Sequence, residues 1–91
     1  MKDRISKDVL VVNALGIHAR AAAKLSKLAQ RARASIWVTK DGQTVDASSI
    51  LDILTLACAK GSTVTLEIDD PADEGVLQEM ARMIAGGFGE D

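Results

Sequence analysis

Thr63 to Ile68 alternates without a break: Val64, Leu66 and Ile68 fall on one side, and Thr63, Thr65 and Glu67 on the other. Successive side chains of a strand point to opposite faces, so this segment predicts a strand with one apolar and one polar face. A sheet built on it is covered on one side and wetted on the other, the habit of antiparallel sheets. Asp41-Gly42 adds a hairpin signal, because glycine accepts the positive φ of a tight turn. It joins a strand over about 35–40, in which Ile36 and Val38 oppose Trp37, to a short strand over about 43–46. A further strand is expected over about 6–12. Its continuous run Val9-Leu10-Val11-Val12 predicts a central or well-covered position.

Helical periodicity fills the gaps between strands. Ala22, Leu25, Leu28, Ala29 and Ala32 recur at helical spacing and predict a helix over 19–32, whose small alanines suit close approach to a sheet. Ser49-Ile50-Leu51-Asp52 has the form of a capping box with Asp in place of Glu, and predicts a short helix over 49–54. Its Ile50, Leu51, Ile53, Leu54 and the nearby Leu56 exceed what one short helix easily hides, so part of this surface is expected to bind a partner. Asp70-Pro71-Ala72-Asp73 starts a last helix with an apolar face of Val76, Leu77, Met80 and Ile84, with Met83 at its edge; Gly86-Gly87 stops it. The order β-α-β-β-α-β-α predicts an α+β open-faced sandwich: a four-stranded antiparallel sheet with helices on one face. Residues 1–91 are expected to form one domain, a monomer, without linker or repeat.

Composition narrows the function. Only Trp37 and Phe88 are aromatic, so a chain that is 47% apolar must build an aliphatic core. A net charge of −2 argues against general nucleic-acid binding. The lone Cys58 excludes an internal disulfide and a cysteine-rich metal site; it predicts a small buried hydrophobe and fits a reducing compartment. The start Met1-Lys2-Asp3-Arg4 leads into no signal-peptide core, and no apolar run approaches the ~20 residues of a membrane span. A cytoplasmic protein without membrane insertion, metal or cofactor is expected.

The one histidine, His18, stands in Gly16-Ile17-His18-Ala19-Arg20, where the first strand gives way to the first helix. A helix N-terminus offers unpaired N–H groups and partial positive charge, and both attract phosphate. An unprotonated imidazole nitrogen attacks phosphorus without a separate base. The amides of Ala19 and Arg20 are placed to reach phosphate oxygens, and the Arg20 guanidinium adds a charge-assisted bond. Gly16 is expected to turn the chain sharply and keep the approach clear of a side chain. No carboxylate lies near His18 in sequence. Arg20, Lys24, Lys27 and Arg31 share one helix face, either solvated or docking an acidic partner. The opposing expectation for His18 is an ordinary capping residue.

Residues 13–23, Asn-Ala-Leu-Gly-Ile-His-Ala-Arg-Ala-Ala-Ala, resemble the phosphohistidine signature of the HPr phosphocarrier family of the bacterial phosphoenolpyruvate-dependent phosphotransferase system. That signature runs Gly-[Leu/Ile/Met]-His-Ala-Arg-Pro-Ala. A second block also resembles the family: Ala47-Ser48-Ser49-Ile50-Leu51, then Leu54-Thr55-Leu56, then Lys60-Gly61. The resemblance spans essentially the whole chain. It implies phosphorylation of His18 on Nδ1, with Arg20 neutralising the phosphate. It implies that Ser49 matches the serine modified by an HPr kinase/phosphorylase in many bacteria. Ile50, Leu51 and Leu54 match the patch that docks enzyme I and EIIA-type acceptors, with Ile17, Lys24 and Lys27 added as docking residues. The implied protein is a carrier in sugar transport or nitrogen regulation, not an enzyme with its own turnover. The ending Gly87-Phe88-Gly89-Glu90-Asp91 and the lead-in Asn13-Ala14-Leu15-Gly16 resemble the nitrogen-related branch, NPr, more than the sugar branch. Ala21 departs from the family proline, and Ser48 from a common basic residue. Ala21 keeps open a regulatory interaction module acting through Ser49 and the Ile50/Leu51 patch without phosphotransfer; a nucleic-acid-binding domain is a distant third.

Overall fold

The computed structural model describes residues 5–90; the starting Met1-Lys2-Asp3-Arg4 and the final Asp91 lie outside the described residues. Four strands, β1 (Ile5–Leu10), β2 (Ile36–Lys40), β3 (Gln43–Asp46) and β4 (Thr63–Ile68), form one sheet in the order β1-β4-β2-β3. All neighbouring pairs are antiparallel, with Ile5 opposite Ile68, Val38 opposite Leu66 and Val38 opposite Val45. Three helices join them: α1 (Ala19–Ala29), α2 (Ile50–Thr55) and α3 (Glu74–Ala85), the last entered through a 3-10 turn over Pro71–Asp73. The predicted α+β open-faced sandwich is the observed fold.

The alternation of β4 decides its two faces. Val64, Leu66 and Ile68 are buried against the helices, whereas Thr63, Thr65 and Glu67 face outward. Ile36 and Val38 of β2 point inward with them, and Trp37 turns outward, its indole N–H donating to Asp69 at 3.1 Å. The outer face is tied by short polar pairs, Thr39 with Thr44 and Thr65 with Asp8, each at 2.7 Å. Beneath the sheet, Leu25 of α1, Ile53 of α2, and Leu77, Met80 and Ile84 of α3 are fully buried. Each such side chain contributes about 1.5–3 kcal/mol by leaving water.

One expectation about β1 is overturned. The apolar run 9–12 predicts a central strand, yet β1 lies at one edge of the sheet. Burial within the run alternates: Val9 and Val11 point into the core, while Leu10 and Val12 are 51% and 40% exposed. An apolar run records high β-propensity on both faces, and only one of them finds a helix to cover it. The edge itself carries Lys7 and Asp8, charges that discourage pairing with another chain.

Helix ends follow local chemistry. Ser49 Oγ caps α2 by accepting from the Asp52 amide, and Asp70 accepts from Ala72 at the start of the 3-10 turn. The C-terminal end of α2 is capped from afar, with Lys40 Nζ donating to the carbonyls of Leu56 and Ala57 at 3.0 Å each. A cation there also complements the negative end of the helix dipole.

Candidate functional site

His18 is the N-cap of α1. Its extended backbone leaves the ring beside the first turn, where the Arg20 amide donates to Nδ1 at 3.2 Å. The side chain is 23% exposed, so the ring edge is reachable from solvent. Ala19 and Arg20 are exposed beside it, and their amides head the helix among donors without intrahelical acceptors.

The loop before His18 is held rigidly. The Ile17 amide donates to the Cys58 carbonyl at 2.8 Å, and the Asn13 side-chain amide donates to the Gly16 carbonyl at 2.8 Å. Gly16 adopts φ +65°, and a Cβ there would lie 2.3 Å from the Cys58 carbonyl oxygen. Glycine is therefore required by close packing of two backbones. The space beside it is filled by the Cys58 carbonyl, not kept open for a donor as expected from the sequence. Its amide is spent on the Asn13 carbonyl at 3.0 Å, which leaves Gly16 no donor for a phosphate oxygen. Cys58 is buried, as its isolation in the sequence suggests, and burial pushes its thiol pKa up.

A carboxylate that sequence proximity misses completes the site. Helix α3 ends at Gly86, and Gly87, Phe88 and Gly89 all take positive φ, with Phe88 buried. This left-handed turn carries the chain back across Asn13 and delivers Glu90 to the ring. Glu90 Oε2 accepts from His18 Nε2 at 2.5 Å, and Glu90 Oε1 accepts from Asn13 Nδ2 at 3.0 Å. The bond to His18, then that to Asn13, holds the Glu90 carboxyl below the usual carboxylate range. No carboxylate lies near His18 in sequence, yet the fold brings one to its ring from 72 residues away. A three-glycine ending around one buried aromatic was the only hint of a tail that folds back.

The other expected site residues separate by exposure. Leu51 is 75% and Ile50 39% exposed, whereas Leu54 is half-buried against the core. Ile17 is 5% exposed, its side chain packed in the core and its amide donating to the Cys58 carbonyl, so it offers little docking surface. Its neighbour Leu15, 72% exposed, is the apolar residue that faces solvent before His18. Lys24 and Lys27 are exposed on α1 with Arg20, and Arg31 is exposed in the turn just beyond the helix. Ala21, at the departed proline position, is buried within the first turn. No helix among the described residues is long and apolar enough to cross a membrane.

An imidazole that caps a helix, with Nδ1 against the Arg20 amide and an arginine beside it, marks a small protein whose helix N-terminus suits an anionic group such as phosphate. Known proteins agree. The family described as "PTS HPr component phosphorylation site" matches residues 5–86. The chain is 41% identical over 86 residues to phosphocarrier protein HPr of Cupriavidus necator, covering 94% of this chain and 97% of that one. It is 34% identical over 88 residues to phosphocarrier protein NPr of Escherichia coli K12, covering 96% and 98%. In structure it superposes on HPr of Thermoanaerobacter tengcongensis with a TM-score of 0.86, at 32% identity, covering 96% and 98%. The chain belongs to the HPr phosphocarrier family of the phosphotransferase system.

Proposed function

We propose that His18 accepts a phosphoryl group from phosphorylated enzyme I and passes it to a histidine of an EIIA-type domain, in the cytoplasm. The carrying observation is the ring itself: its Nδ1 accepts a bond from the Arg20 amide at a helix N-terminus, so its lone pair points where phosphate binds best. In the transfer, the Nδ1 lone pair forms the new N–P bond. The P–N bond of the donor phosphohistidine breaks, and its electrons stay with the donor imidazole. The Arg20 amide leaves Nδ1 as the lone pair turns to phosphorus and, with that of Ala19, faces the phosphoryl oxygens. The Arg20 guanidinium supplies the balancing charge.

Exposed Ile50 and Leu51, with Leu54 at their edge and Leu15 near the histidine, supply apolar contact for both partners. Lys24 and Lys27 supply charge that steers acidic partners. Ser49 supports a regulated version of this docking. A phosphoryl group there would add roughly −1.5 to −2 charges beside Ile50 and Leu51, repelling the acidic partners that the lysines attract. The exposure of that patch also favours the second reading, a regulatory module that binds through it without phosphotransfer.

Incubating the protein with phosphoenolpyruvate and the enzyme I of its own organism tests both. An acid-labile phosphoprotein is expected, absent from His18→Ala. Equal labelling of the two proteins removes His18 as the site. Partner capture indifferent to His18→Ala, with no labelling of wild type, establishes the regulatory module.

A further inference from the structure

We propose that Glu90 is a positioning residue for phosphoryl transfer: its carboxylate keeps the ring proton of His18 on Nε2 and so presents Nδ1 as the nucleophile. The inference rests on the carrier reading above and adds a residue to it.

Two independent contacts on the ring demand the same tautomer. The Arg20 amide at 3.2 Å from Nδ1 needs an acceptor there. The Glu90 carboxylate at 2.5 Å from Nε2 needs a donor there. A neutral imidazole has one of each, and these two contacts select the Nε2–H form. Removing the carboxylate leaves only the weaker, longer contact to bias the ring.

Glu90 is itself held in place. Asn13, 2% exposed, uses one side-chain nitrogen to bridge the Gly16 carbonyl at 2.8 Å and Glu90 Oε1 at 3.0 Å. That orientation leaves Asn13 Oδ1 buried without a hydrogen-bond partner. A buried acceptor without a bond is costly, so the two donor contacts are what fix this side chain. Phe88, buried between two positive-φ glycines, anchors the tail that carries Glu90.

The geometry also separates positioning from obstruction. Glu90 engages the ring at Nε2 and leaves Nδ1 to the helix amides. When phosphorus bonds to Nδ1, the proton stays on Nε2 and the ring gains positive character. The carboxylate already in contact balances that charge, so no proton moves during transfer and no separate base is needed.

The test uses the full chain, ¹⁵N-labelled, as wild type, Glu90→Gln and Glu90→Ala. Ring nitrogen resonances report the tautomer, a readout that a purely structural role for the tail would leave unmoved. Phosphoryl uptake from phosphorylated enzyme I is timed in parallel, and thermal unfolding checks each fold. Glu90→Ala should show a mixed tautomer and slow uptake about tenfold, the worth of one charge-assisted contact. Glu90→Gln, which keeps an acceptor without charge, should fall between. Wild-type ring resonances or a wild-type uptake rate in Glu90→Ala would overturn the proposal. His18→Ala, run beside them, keeps the two readings apart: if it loses labelling while Glu90→Ala labels at the wild-type rate, the carrier stands and Glu90 falls. If wild type fails to label, the carrier falls while the ring resonances still judge Glu90.

Discussion

At the residue scale the site is a set of constraints on one loop. Gly16 is fixed by two separate demands, φ +65° and the Cys58 carbonyl 2.3 Å from where a Cβ would sit. Gly16→Ala should therefore cost at least about 2 kcal/mol, combining left-handed backbone strain with a backbone clash. Urea unfolding with an unchanged slope measures it. Glu90 yields a pH prediction. Its carboxyl pKa is depressed in the folded chain, chiefly by His18. A depressed acid stabilises above its unfolded pKa and loses that stabilisation as pH falls through the folded value. The contact with His18 should therefore persist below the ordinary glutamate range and disappear only at lower pH. A ¹³C titration of the Glu90 carboxyl should place its midpoint below that of a free glutamate, and His18→Ala should raise it.

At the element scale, caps and patterns carried most of the prediction. The strand over 63–68 and the hairpin at Asp41-Gly42 were legible because alternation and turn chemistry are local. Helix α2 begins where Ser49 says it should, with Ser49 Oγ accepting from the Asp52 amide at 3.2 Å. Ser49→Ala should cost about 1 kcal/mol, the usual worth of a serine cap, and thermal unfolding reads it. Ser49→Asp should keep the cap, because aspartate caps as well as serine, while weakening partner binding through its charge. Helix α1 stops at Ala29, shorter than its alanine-rich sequence suggested. The Ser26 hydroxyl donates to the Ser48 carbonyl at 2.7 Å, tying α1 to the loop before α2, a contact no periodicity announces.

At the scale of the whole molecule, distant carboxylates lock elements together. Asp73, buried at the entry to α3, accepts from the amides of Arg33 and Ala34 at 2.7 and 3.0 Å. It joins the chain leaving α1 to the chain entering α3. Asp73→Ala should cost about 2 kcal/mol, since two amides lose a charged acceptor. Chemical denaturation checks the size, and hydrogen exchange at Arg33 and Ala34 checks the place, with faster exchange expected there. In sequence Asp73 read as a first-turn acid, because a helix start explains an acid there without any long-range partner.

Local patterning by itself determined the strands and helices, the one-sided sheet and the position of His18 at a helix start. These depend on alternation, helical spacing and caps, all settled among near neighbours. Tertiary structure decided the rest. It put β1 at an edge, because only one face of its apolar run found a helix. It hid Ile17 and exposed Leu15, two residues apart, in a loop packed against the Cys58 backbone. It brought Glu90 to His18 across 72 residues, which no spacing could foretell. Such pairs form only when the sheet and helices close around one core, because that closure alone decides which distant side chains share a surface.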